Sequence, residues 1–159
     1  MSLVPSLEMN RHGFEIFVAP HETMCAACAE DRLDDLRAAP HRYLRFPGGF
    51  SPSHVIQLGA AVTSLTGVSE DFGNERNRSE PRDMLFVDRL TTDWVRAAAK
   101  LSLSRSTEIE ELWIRSCAEE EGDIPSWASE PREVLIEEFL RLCTVATSAS
   151  TDLVMVWRL

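Results

Sequence analysis

The stretch FEIFVAPHETMCAACAEDRLDDLRAAPHRYLRF, residues 14–46, decides how the chain is read. FEIFVA (14–19) is a short apolar run with β-branched and aromatic members, the mark of a strand. From Glu22 to Ala38 apolar residues recur at helical spacing. Cys25, Ala29, Leu33 and Leu36 fall on one stripe of the wheel, and Cys28 lies about 60° to its side. This spacing predicts one helix, with Cys25 facing the core and Cys28 bordering it. Ala39 precedes Pro40, and a residue before proline avoids the helical region, so the helix stops there. RYLRF (42–46) reads as a second strand, closed by Pro47-Gly48-Gly49.

Further along the chain, Ser51-Pro52 offers a helix cap and a proline for the first turn. Val55, Leu58, Val62 and Leu65 continue as an apolar stripe to Gly67. Residues 67–83 are polar and rich in turn formers, and are expected to form the longest loop, suited to binding. MLFVD (84–88) is a third strand. Thr91 or Thr92 caps a helix with Trp94, Val95 and Ala98 inward. TEIE (107–110) has the form of a capping box, and opens a helix with Ile109, Leu112, Trp113 and Cys117 on one face. Gly122 ends that helix. Pro131 starts the last one, with Val134, Leu135, Phe139, Leu142, Val145 and Ala146 as its stripe. DLVMVW (152–157) closes the chain as a strand apolar enough to lie inside the sheet. The predicted order is β-α-β-α-β-α-α-α-β. It implies an α+β or α/β fold, with a small mixed sheet of about four strands covered by about five helices. Residues 1–12 are expected to be a flexible arm, and 13–159 a single globular domain.

The chain has 159 residues, 44% hydrophobic and 26% charged, as in an average soluble protein. No apolar run approaches the ~18 residues of a membrane span, and MSLVPSLEMNRHG lacks the basic and apolar regions of a signal peptide. A cytoplasmic location is the expectation. Sixteen basic residues face 26 acidic ones, for a net charge of −10. That balance argues against a nucleic-acid binder, whose affinity comes from cations neutralising phosphates, and against an anionic membrane surface.

Cys25-Ala-Ala-Cys28 admits a redox reading. Thiolates at a helix N-terminus are stabilised by unpaired N–H groups and the helix dipole. A strand feeding a CxxC at a helix start resembles the layout of thioredoxin-like domains, and Pro81 falls roughly where such domains keep a cis-proline. The Ala-Ala dipeptide and the three downstream helices depart from that pattern. A metal reading would use His21, Cys25, Cys28 and His41 as zinc ligands. An intact helix holds the two histidines about 24 Å apart, too far for one ion. His12 and His54 add no ligand or triad spacing, and His21-Glu22-Thr23 is half of a paired phosphoesterase motif without its second half. Asp71-Phe72-Gly73 has the letters of a kinase metal motif, without the phosphate loop or catalytic loop that must accompany it. No metal or cofactor is expected.

The strongest signal is charge segregation. Residues 107–138 hold eleven carboxylates against Arg115 and Arg132. Within AEEEGDIPSWASEP (118–131), acids surround Ile124, Pro125 and Trp127. A partly exposed tryptophan ringed by acids would anchor a basic partner. The expectation is a non-enzymatic, acidic protein-interaction protein, of inhibitor, immunity or chaperone-like type. Glu119, Glu120, Glu121, Asp123 and Trp127 form its binding edge. The alternative is a thiol redox protein using Cys25 and Cys28.

Overall fold

The computed structural model describes residues 13–69 and 77–158. Five strands form one sheet: β1 (Phe14–Val18), β2 (Tyr43–Arg45), β3 (Arg78–Arg82), β4 (Leu85–Arg89) and β5 (Leu153–Arg158). Their spatial order is β2-β1-β5-β4-β3, and every neighbouring pair runs antiparallel. Six α-helices accompany them among the described residues: α1 (His21–Ala29), α2 (Leu33–Arg37), α3 (Pro52–Thr66), α4 (Thr92–Ala99), α5 (Ser106–Glu121) and α6 (Glu133–Ser148). The class is α+β, as the sequence implies. The sheet gains a strand over the expectation and holds no parallel pair. The arm at 1–12, His12 and the Asp71-Phe72-Gly73 letters lie outside the described residues.

The antiparallel pairing of β1 and β2 follows from a break in the expected first helix. α1 stops at Ala29, and Asp31 takes φ +58°, a left-handed conformation that aspartate tolerates better than most residues. The Arg32 N–H then reaches back to the Ala27 carbonyl at 2.8 Å, closing a Schellman motif. α2 starts in a new direction, and the chain doubles back so that β2 pairs antiparallel beside β1. The wheel drawn through one continuous helix therefore fails. Met24, Ala27 and Cys28 are the buried residues of α1, and Cys25 is only half-buried. The two cysteines have exchanged the roles expected of them.

Strand β3 sits inside the expected 67–83 loop. RSEPR shows no apolar alternation because β3 is an edge strand and mostly solvent-facing. Pro81, with no N–H to give, is tolerated on such an edge, and the register shifts between Ser79 and Arg82. β5 holds the centre of the sheet, as its unbroken apolar run requires.

Alternation along the strands divides the core in two. Phe14, Ile16, Val18, Leu153, Met155 and Trp157 face α3 to α6, where the larger cluster also gathers Phe50, Leu58, Trp94, Trp113 and Phe139. Phe17, Leu85, Val87, Val154 and Val156 face α1 and α2, under Met24 and Cys28. One charged pair interrupts the larger face. Asp88 is 2% exposed. Its carboxylate accepts from Arg78 Nε at 2.8 Å and from Trp157 Nε1 at 2.8 Å. The Arg78 guanidinium lies 5.2 Å from the ring centres of both Phe86 and Trp157.

Helix ends follow the sequence signals in part. Ser51 caps α3, with Pro52 in its first turn, and Gly67 closes it at φ +74°. The TEIE box does not form: α5 starts two residues earlier than that box requires, at Ser106, and the Thr107 hydroxyl donates to Glu133 instead. α6 starts at Glu133, and Val134 is 66% exposed rather than on the buried stripe. Among the described residues, no helix is long and apolar enough to cross a membrane.

Candidate functional site

The acidic segment is built on an aromatic cluster. Phe50 stacks on Trp113 with centroids 5.4 Å apart, and Trp127 lies 4.9 Å from Phe50 and 4.4 Å from Trp113. Trp127 is 5% exposed, which corrects the expectation of a partly exposed tryptophan. The loop after α5 runs back along that helix, so Trp127 folds inward onto Trp113. Its neighbours in the sequence are acids, but its neighbours in space are rings. Ile124 is the apolar residue this loop leaves outside, at 65% exposure.

His54 joins the cluster to the acids. Its Nδ1 accepts from the Ser51 backbone N–H at 3.0 Å and from Trp127 Nε1 at 3.1 Å. An atom facing two N–H donors carries no proton, so the neutral ring holds its proton on Nε2. Nε2 lies 2.8 Å from Glu121 Oε1, off the axis of a well-aligned hydrogen bond. The His54 N–H in turn donates to the Ser51 hydroxyl, so a histidine fills the place that glutamate usually takes in a capping box. The Trp113 indole donates to the His54 carbonyl at 2.7 Å. Of the expected binding edge, Glu121 thus reaches back to His54, and Glu119, Glu120 and Asp123 are exposed beside it.

The eleven carboxylates of 107–138 separate into two sets. Near the starts of α5 and α6, most have partners. Glu108 pairs with Arg105, Glu110 accepts from the Arg132 N–H, and Glu130 pairs with Arg132. Glu133 accepts from Thr107, Glu137 from Ser106, and Glu138 pairs with Arg141. At the other end of α5, no cation among the described residues meets Glu119, Glu120 or Asp123. These acids also crowd a helix C-terminus, where the dipole favours cations by about 0.3–1 kcal/mol each. The site is unfavourable for the isolated chain, and a cation placed there relieves it.

The cysteines offer less. α1 begins at His21, four residues before Cys25, so neither thiol occupies the helix N-terminus. Burial, then the neighbouring Cys25 and Glu15, pushes the Cys28 thiol up to about 11. His21 Nε2 lies 3.7 Å from Cys25 Sγ and 3.1 Å from the Val87 carbonyl. A carbonyl can only accept, so Nε2 carries the proton and is not placed to take one from the thiol. Among the described residues, no three His, Cys, Asp or Glu side chains gather to hold an ion, and His41 lies on the exposed turn before β2.

One further charged cluster lies on the α1–α2 side of the sheet. Glu15 accepts two hydrogen bonds from Arg37, at 2.6 and 2.8 Å, and one from the Tyr43 hydroxyl at 2.6 Å. Burial alone would raise its carboxyl, but the Arg37 and Tyr43 hydrogen bonds outweigh burial and lower it. The stabilisation is therefore full above the unfolded value of about 4.3 and is lost as pH falls through the lower folded value. Glu15→Gln is expected to flatten the loss of stability below about pH 4.3, read as urea midpoints against pH. An acid limb unchanged by the substitution would exclude Glu15 as its source.

Comparison with family models, with curated proteins and with solved structures finds no match for the chain.

Proposed function

We propose that the chain is a non-enzymatic acidic binder that caps a basic protein partner, in the manner of an inhibitor or immunity-type protein. The observation that carries this reading is the C-terminal end of α5. Glu119, Glu120 and Asp123 meet no cation there among the described residues, Glu121 lies against His54, and Ile124 is exposed beside them. Uncompensated charge of one sign steers encounter with a partner of the other sign, and a desolvated apolar side chain slows release. Trp127 takes a new role in this reading. It positions the loop from beneath and does not touch the partner.

The test compares the wild type with the charge-reversal variant E119K/E120K/D123K. A partner captured from the native host at low salt is purified, and its affinity is measured at low salt and at ~0.5 M salt. The partner is expected to be basic. Its affinity is expected to fall about tenfold or more both with salt and with charge reversal. An affinity indifferent to both would overturn the proposal.

The redox alternative rests on the CxxC spacing alone. Thiolate chemistry needs an accessible thiol, a place that falls to the half-buried Cys25, since Cys28 is buried with its thiol pushed up to about 11.

A further inference from the structure

The α1–α2 side of the sheet carries a cleft of about 330 Å3, between α2 and the strands. Leu85 and Val156 of the sheet and Leu33 of α2 supply its apolar surface. Its charged lining is Glu15, Asp34, Arg37, Arg45 and Arg158. Glu15 and Asp34 both bind Arg37. Arg45 stands opposite Glu15 in the β1–β2 ladder and helps to hold its carboxyl down. Arg158, exposed at the end of β5, pairs with no carboxylate among the described residues. Among the described residues its lining thus holds three arginines and two carboxylates, on a chain whose net charge is −10.

From this lining we infer a ligand site for a small organic monocarboxylate. The volume lies at the lower end of the range for small-molecule sites, which pair an apolar wall with a few convergent polar groups. Leu33, Leu85 and Val156 take the hydrocarbon body of the ligand. The carboxylate sits against the Arg158 guanidinium, whose planar fork matches two carboxylate oxygens. The site lies across the sheet from the acidic edge and is independent of the partner proposed there.

Benzoate is the probe, titrated into the full chain and followed by amide NMR, with benzamide as the uncharged control. Saturable shifts are expected at Glu15, Leu33, Leu85 and Arg158, with a dissociation constant of about 1 mM or tighter. Arg158→Gln is expected to weaken benzoate by at least about tenfold while leaving the rest of the spectrum in place. Leu33→Trp fills the cleft from its half-buried wall and is expected to abolish binding with Arg158 intact. Benzamide is expected not to saturate. The inference is overturned if benzoate binds Arg158→Gln as tightly as wild type, if benzamide binds equally well, if the shifts map elsewhere, or if no saturable shift occurs.

Discussion

Replacing Arg78 with methionine is expected to lower the unfolding free energy by about 3–5 kcal/mol, read from chemical denaturation. The cause is the carboxylate left behind. Asp88 sits on the larger apolar face with 2% of its surface exposed, and among the described residues Arg78 supplies its only charged donor. Without Arg78, one neutral indole N–H from Trp157 remains to hold a buried negative charge. The two aromatic rings lose their cation as well, worth about 0.5–2 kcal/mol. The informative comparison is the double variant R78M/D88L. Removing both charges removes their desolvation cost along with their attraction, and such exchanges are often close to neutral. The double variant is therefore expected to be more stable than R78M. Its residual deficit, about 1–3 kcal/mol, is the Trp157 N–H left without an acceptor. If R78M unfolds at the wild-type midpoint, the pair does not hold β3 to the rest of the sheet.

Trp127→Ala is expected to cost about 3–5 kcal/mol, the range for deleting a large aromatic from a core. Its ring touches Phe50, Trp113 and His54, and these contacts hold the 122–132 segment against α5. Trp127→Phe separates the two parts of that effect. It keeps most of the ring contacts and deletes the N–H that His54 Nδ1 accepts, for a cost of about 1 kcal/mol. The same pair of variants tests the role of the tryptophan in binding. A residue acting from beneath is replaced by phenylalanine with little change in partner affinity. A contact residue is not. A wild-type midpoint for Trp127→Ala would contradict the burial on which this assignment stands.

What the sequence makes legible here is what depends on near neighbours. Ser51-Pro52 and the stripe Val55, Leu58, Val62 define α3 because a cap and a periodicity are local. The central place of β5 can be read from an unbroken apolar run, since both of its faces are covered. The break after Ala29 is not legible in this way. Asp31 adopts a conformation that glycine usually marks, and no glycine or proline stands nearby to announce it. Reading the wheel through that break sent the wrong cysteine to the core. β3 was hidden because an edge strand needs no apolar alternation, and RSEPR has none. At the acidic edge, the exposed carboxylates can be read from composition. The burial of Trp127 cannot, because His54, which accepts its N–H, lies 73 residues away in the chain. His54 itself carried no usual motif. Its one signal was the capping position three residues after Ser51.

The central position of β5 also bears on how the molecule folds. β1 pairs with β2 on one side, and β4 pairs with β3 on the other, each within its own stretch of chain. Within the sheet these two strand pairs are joined by β5, which pairs Phe14 with Trp157 and Leu85 with Arg158. Until β5 slides between them, each strand pair presents an unpaired edge, and closing the sheet means bringing together nearly opposite ends of the described chain. Contacts so distant in sequence slow the search for the native state. Open edges of this kind pair readily with other chains while they wait. Insertion of β5 is thus expected to be the slow, aggregation-exposed step of folding.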